Sequence, residues 1–518
     1  MSIYYRNSDN LENVKNYGAV GDGSTDDTSA IQSAINTGKS VFLPHGTYAT
    51  SSTLTAVEGA SLIFDESSSI VRLSGSGNMI SVAVPDFTIV NATIDLNDLS
   101  TEGITGSAGT TNLRLLGTTT IKNAATGGEN TDGGVICASV NNLFIDNLVL
   151  ENIRQNSGSS GLYRGIDLSS CSGVQINSIY QQIGDITVNI YGSVDVNIGS
   201  VVSKSITDNS VYIANTSEKV VIDTVQAINC GEGIVLNSSQ SNAKVVIGDV
   251  FVSNASAYGI TYRSGGGYML GNTTLVESSI GTNGSSVRNN INFGNVRITM
   301  VEETGTRPVT MSSVSGMHFG SLDILNEDPL ATYSMLLTDC EDTTIQSLNI
   351  SSVSSGGVSE GFRLVGSDIT APRFSVGNFT THRVTTPYTI HSSVTDRTNL
   401  FINSSNERYG NLNIRQPETA SLQLISSKTA CLAGNDLGQI SIYGSDSSSP
   451  GTKFKLFTEA HDATGASRTY FLDDNNNTVA FIPANSVNSG MTIVLPTSSG
   501  GLPVGSIYNN NGVIDIVE

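Results

Sequence analysis

The chain contains no tryptophan, so any ring that stacks on a ligand must come from its 17 tyrosines or 15 phenylalanines. It has five cysteines, Cys137, Cys171, Cys230, Cys340 and Cys431. They are far apart, odd in number and free of CxxC spacing, which leaves them as small apolar core residues. Basic residues are scarce: 25 Lys and Arg against 46 Asp and Glu give a net charge of −21. Such a chain repels nucleic acid and anionic membranes, so neither is expected as a partner. No apolar run approaches ~18 residues, which argues against membrane insertion. No charged-then-apolar signal follows Met1, so export by a cleaved leader is not expected.

What is present is period two. Apolar residues make up 38 % of the 518 positions, and they alternate with Gly, Ser, Thr and Asn. That pattern reads as strand rather than disorder. The length exceeds one ordinary compact core, a limit that a solenoid escapes by adding repeats. Segment 22–36 reads as a turn and a helix, with Asp26 or Asp27 as N-cap and Ala30, Ile31, Ala34 and Ile35 as its apolar face. From about residue 79 similar units follow one another, beginning at Gly134, Gly165, Thr187, Ser210 and Gly233. Their starts are 31, 22, 23 and 23 residues apart. Later units are 287–306, 307–328, 333–355 and 360–383, and two stretches, 151–165 and 262–290, read as insertions.

Each unit is too short to bury its own apolar face, so neighbours must stack. Three short strands per unit, with Val, Ile and Leu inward, predict an all-β, right-handed, three-strand parallel β-helix. The helix near the N-terminus would cover the open end of the ladder. The expected organisation is a short attachment peptide over 1–12, a cap with first rungs over 13–78, the β-helix over 79–405, and an antiparallel β-domain over 406–518.

The opening NVKNYGAVGDGSTDDTSAIQSAI, followed by VFLPHGTY, carries a family resemblance. Tyr17-Gly18-Ala19, Gly21-Asp22-Gly23, Thr25-Asp26-Asp27, Ala30-Ile31-Gln32, Leu43-Pro44 and Gly46-Thr47-Tyr48 are its elements. This stretch resembles the start of the pectate-lyase-like superfamily, including its phage tailspikes and depolymerases. GQISIYGSD, in the C-terminal segment, looks like distal domains of phage tail fibres. The resemblance implies a virion protein acting at the bacterial surface, a homotrimer, a bacterial polysaccharide as partner, and attachment through the N-terminus to a tail or adaptor protein. It says little about chemistry, because the matching residues form the cap. The family includes hydrolases, lyases, epimerases and non-catalytic spikes.

Glycosidic cleavage usually needs two carboxylates, one to protonate the leaving oxygen and one to act as base or nucleophile. Stacked rungs place equivalent positions ~4.8 Å apart. Aligning Ile166, Val188, Val211 and Ile234 gives a column three residues earlier of Tyr163, Asp185, Asp208 and Gly231, with Glu232 one step on. Asp185, Asp208 and Glu232 are the candidate catalytic groups. Tyr163, Arg164, Asp167, Asn189, Tyr191 and Tyr212 are the candidate sugar-binding residues, because aromatics stack on pyranose faces and polar groups bind hydroxyls. The bland alternative is that acidic and Asn residues bond neighbouring backbone at solenoid turns.

Other acidic groups compete: Glu129 and Asp132 with Glu151 and Arg154, and Glu302 and Glu303 with Arg307. A lyase is the rival chemistry, needing a base and a cation against a uronate carboxylate. His318, His382 and His391 are scattered, and no DxDxDG calcium loop occurs, so no cofactor or metal is expected. A spike that only recognises its glycan is the non-enzymatic alternative.

Overall fold

The computed structural model describes residues 11–404, apart from 100–101, 125–132, 155–162, 284–287, 302–306, 329, 353–359, 367–372 and 392–399, together with the backbone of strands between 436 and 516. Residues 1–416 form one unit and 417–518 another.

The first unit is a parallel ladder. One inward column can be followed from its first rungs to its last through residues in register: Leu54, Ile80, Ile104, Val135, Ile166, Val188, Val211, Ile234, Ile260, Ile280, Val309, Met335, Phe362 and Tyr388. All are buried. Each such side chain contributes ~1.5–3 kcal/mol by leaving water, so the column joins the rungs into one core. Phe293 and Phe319, partners on adjacent rungs, stack with centroids 4.4 Å apart and an interplanar angle of 3°.

The helix Thr28–Ile35 buries Ala30, Ile31, Ala34 and Ile35 against the first rungs, as the sequence predicts. Its two acidic residues divide the work at the start. Asp27 occupies the N-cap position, but its carboxylate accepts the backbone N–H groups of Val20 and Gly21 at 2.5 and 2.9 Å. Asp26 instead accepts the Thr28 N–H at 3.0 Å. Strand Leu11–Asn13 pairs with Ser40–Leu43, and Glu12 meets Lys39 at 2.6 Å. Leu11 and Glu12 therefore belong to the ladder rather than to a separate attachment peptide; residues 1–10 lie outside the described residues.

The stretch 262–290 is not an insertion. Strands Val245–Leu270, Thr273–Val276 and Ile280–Thr282 run through it, and Tyr262, Tyr268, Leu275 and Ile280 are core residues. The Gly265-Gly266-Gly267 run hides the alternation. Gly265 and Gly267 have φ of +81° and +77°, and a Cβ on Gly266 would lie 2.0 Å from the Asn289 carbonyl oxygen. Glycine is thus what lets the backbones close together there. Much of the other insertion, 155–162, lies outside the described residues.

Cys137, Cys171, Cys230 and Cys340 are buried and unpaired, as core residues should be; Cys431 lies outside the described residues. Among the described residues no helix is long and apolar enough to cross a membrane. The last parallel pairing sets Leu400–Ser404 beside Phe374–His382. In the second unit the strands Asp436–Gly444, Gly451–Ala460, Ser467–Leu472, Thr478–Ile482 and Thr492–Ile493 pair antiparallel in sequence order, and Ile507–Asn510 pairs with Val513–Ile516.

Candidate functional site

The residues after each corner form outward columns on one face. Asp167, Asn189, Tyr212, Val235 and Thr261 are in register on successive rungs. Arg164 pairs with Ile186, and Asn209 with Glu232, in a second column. The acidic residues enter from the corner beside it. The Asp208 N–H donates to the Asp185 carbonyl at 3.0 Å, so the two sit on adjacent rungs.

Two irregularities shape this corner. Gly184 to Val188 spans four steps and Cys230 to Ile234 four, whereas the rung between them, Ile206 to Val211, spans five. The additional residue pushes out the segment that carries Asp208. Further on, Leu236 pairs with Tyr262 but Asn237 with Ser264, so Arg263 is the extra residue of a bulge. Bulges re-aim side chains and are common beside active sites.

The three carboxylates have different surroundings. Asp185 is buried and accepts the Tyr163 N–H at 3.1 Å and the Thr207 hydroxyl at 2.6 Å. Glu232 is 7 % exposed; it accepts the Thr261 hydroxyl and the Arg263 guanidinium, each at 2.5 Å. Asp208 is half-buried and accepts the Asn209 amide at 2.6 Å. Burial pushes its carboxyl above the usual carboxylate range; Glu232 and Asp185 add to the rise, and Arg263 opposes it. The arrangement therefore sets a carboxyl raised above its usual range beside one that is ion-paired to a guanidinium. Two carboxyls in such unlike surroundings can divide the roles of acid and base.

The expected binding residues fare unequally. Tyr163 is buried in the hydrophobic core, so it presents no ring to a sugar, a correction to the stacking role expected of it. The chain turns Tyr163 inward just before Arg164 points out, and its contribution here is the backbone N–H that holds Asp185. Asp167 and Asn189 are both 2 % exposed. Asp167 accepts the Asn189 amide at 2.8 Å and also the Arg164 guanidinium, so Asp167 ties the other two together on this face. Tyr191 is exposed by 47 % and offers the free ring of the set. Tyr212 is half-buried, its hydroxyl accepts the Asn237 amide at 2.9 Å, and Arg263 lies 5.9 Å from its ring.

Arg263, Thr261, Asn209 and Asn237 were not singled out from the sequence. Arg263 was legible in one comparison: GIVLNS from Gly233 and GITYRS from Gly259 align, with Thr261 and Arg263 in the outward slots. Of the competing clusters, Glu129 and Asp132, and Glu302 and Glu303, lie outside the described residues, whereas Glu151 and Arg154 are exposed. A shallow groove of about 500 Å³ lies on earlier stretches of the same strands, lined by Ser200, Thr224, Gln226, Asp249 and Phe251. It holds a single carboxylate, so the bulged corner is the better chemical candidate. No group of three or more His, Cys, Asp or Glu side chains placed to share a metal ion occurs among the described residues.

Residues 11–235 match the family model described as rhamnogalacturonase A/epimerase, pectate lyase-like. A pre-neck appendage protein of Bacillus phage B103 is 28 % identical over 231 residues, which cover 43 % of this chain and 23 % of that protein. The match thus spans about a quarter of the relative's length. Among solved structures, the family 28 exopolygalacturonase of Yersinia enterocolitica aligns at 13 % identity with a TM-score of 0.42, covering 74 % of this chain and 78 % of that one. The mannuronan C-5 epimerase AlgE6 A-module of Azotobacter vinelandii aligns at 16 % identity with a TM-score of 0.38, covering 76 % and 99 %.

Proposed function

We propose, from the match of residues 11–235 to the pectate-lyase-like family model, that this chain is a phage tail-associated spike that depolymerises a bacterial surface polysaccharide by endoglycosidic hydrolysis. The observation that carries the chemistry is the half-buried Asp208, whose carboxyl is pushed above the usual carboxylate range by burial and by the carboxylates of the rungs on either side. In this reading Asp208 protonates the leaving oxygen, and Glu232 acts as nucleophile or base from the next rung. Asp185 is a positioning residue that fixes the corner through Thr207 and Tyr163. Tyr191 and Tyr212 supply ring faces, and Arg164 and Asn189 line the floor.

Adjacent rungs stand ~4.8 Å apart, close to the ~5–5.5 Å separation of a retaining pair. The first product is therefore expected to keep its anomeric configuration. A β-elimination would need a cation turned toward a uronate carboxylate, and the guanidinium nearest the corner is engaged by Glu232. The phage relative supports a place on the virion, where a homotrimer attached through the N-terminus would present three such faces, with the C-terminal β-strands as a candidate trimerisation element.

The test is incubation of capsular, exopolysaccharide and O-antigen preparations with the wild type and Asp208→Asn. The expected result is one polymer shortened only by the wild type, with products lacking the unsaturated uronate absorbance near 235 nm. Products carrying that absorbance would replace hydrolase with lyase. Binding with no shortening of any polymer would leave a receptor-recognition spike.

A further inference from the structure

The face that carries the acidic corner does not stop there. Its outward column continues in register from Val235 through Thr261, Gly281, Thr310 and Leu336 to Arg363. Five rungs at ~4.8 Å put Arg363 roughly 24 Å along the same face. There the guanidinium carbons of Arg307 and Arg363 lie 4.4 and 4.8 Å from the centroid of one ring, that of Tyr333. Arg363 is fixed by a two-pronged ion pair to Glu360, the register partner of Tyr333. Arg307 is half-buried and joins no ion pair among the described residues.

Two cations on one ring repel each other, and one carboxylate matches only one of them. The pair is conspicuous in a chain of net charge −21 with only 25 basic residues. A guanidinium held over an aromatic ring can still direct N–H groups to an oxyanion.

We propose that Arg307, Tyr333 and Arg363 form a distal subsite that binds the oxyanion substituent of an acidic polysaccharide, a carboxylate or a sulfate, several sugars away from the cleavage point. The proposal rests on the polysaccharide reading of the acidic corner and narrows it to an anionic polymer lying along the solenoid axis. Arg307 supplies a charge that no ion pair among the described residues matches, Tyr333 packs its ring against that guanidinium, and Glu360 keeps Arg363 in position. The protein's overall negative charge disfavours casual binding to polyanions, so anion binding here would be local and specific.

The test is affinity electrophoresis of the full chain in native gels containing polygalacturonate, carboxyl-reduced polygalacturonate or dextran sulfate. Retardation by polygalacturonate that is absent with the reduced polymer assigns a carboxylate; retardation by dextran sulfate alone assigns a sulfate. Either should weaken at least five-fold in Arg307→Ala and recover in part in Arg307→Lys. Asp208→Asn should be retarded like the wild type. Arg307 is partly exposed, so Arg307→Ala should melt like the wild type, and a matched melting curve guards against a folding effect. No retardation by either anionic polymer, or retardation unchanged in Arg307→Ala, overturns the subsite. Arg307-dependent retardation without cleavage of any polymer would keep the subsite and remove the hydrolase reading.

Discussion

Asp208 carries opposite consequences for stability and activity. Its raised pKa means that the fold prefers the protonated form, so stability is full below the ordinary carboxylate value of 3.8 and is lost as pH rises through the raised one. Asp208→Asn cannot ionise. It should therefore melt higher than the wild type at neutral pH and equally below about pH 3.5, while losing nearly all turnover. A variant that melts lower at neutral pH would show that the ionised carboxylate is structural. Arg263 is the second lever. Arg263→Met removes the cation that opposes the rise, so the alkaline limb of the activity profile should move to higher pH. It also strands the buried Glu232 carboxylate, at a cost of about 2 kcal/mol in denaturant unfolding, modest because Arg263 is partly exposed. Burial pushes the Cys171 and Cys230 thiols up to about 11 and that of Cys340 to about 12. Thiolate, not thiol, reacts, so Ellman's reagent should leave these three untouched in the native protein and label them all after denaturation.

At one position per rung the backbone obeys a rule that is broken beside the candidate site. Asn123, Asn152, Ile183, Ser205, Asn229 and Asn254 occupy equivalent positions on successive rungs, and all have positive φ. Asn tolerates that region, and its amide bonds to the Asn of the rung before, as Asn254 does to Asn229 at 3.0 Å. Ile183, with φ of +62°, is branched at Cβ and lies two residues before Asp185. Strain of this kind is held where the surrounding structure over-determines it. Ile183→Asn should raise stability by about 1 kcal/mol; a neutral or destabilising result would mean that packing of the isoleucine outweighs the strain. Such positions also explain what could be read in advance. Period-two alternation and Gly or Asn punctuation identified most rungs, and the helix face was legible from Ala30, Ile31, Ala34 and Ile35. Where three glycines replaced the alternation, a rung read as a loop, and Arg263 was lost with it. Tyr163 read as a sugar platform because alternation was carried through a corner, where the chain can turn two successive residues the same way.

Over the whole solenoid, each rung touches only its neighbours, so a local loss propagates along the core. Phe319→Ala removes one ring of the stacked pair with Phe293 and leaves a hole in the core. The expected cost is about 3–5 kcal/mol, read as a lower denaturant midpoint, with no change in Arg307-dependent anion retardation if folding is retained. The threefold assembly proposed for the virion has its own check. Sedimentation equilibrium should give three times the 54.2 kDa chain mass, and a monomer at micromolar concentration would contradict it. The most direct experiment compares polymer length before and after digestion by the wild type and Asp208→Asn, using size-exclusion chromatography across a panel of bacterial surface polysaccharides. The proposed role of Asp208 requires one polymer to be reduced to discrete oligosaccharides by the wild type and left intact by the variant. Equal cleavage by a correctly folded Asp208→Asn would contradict it.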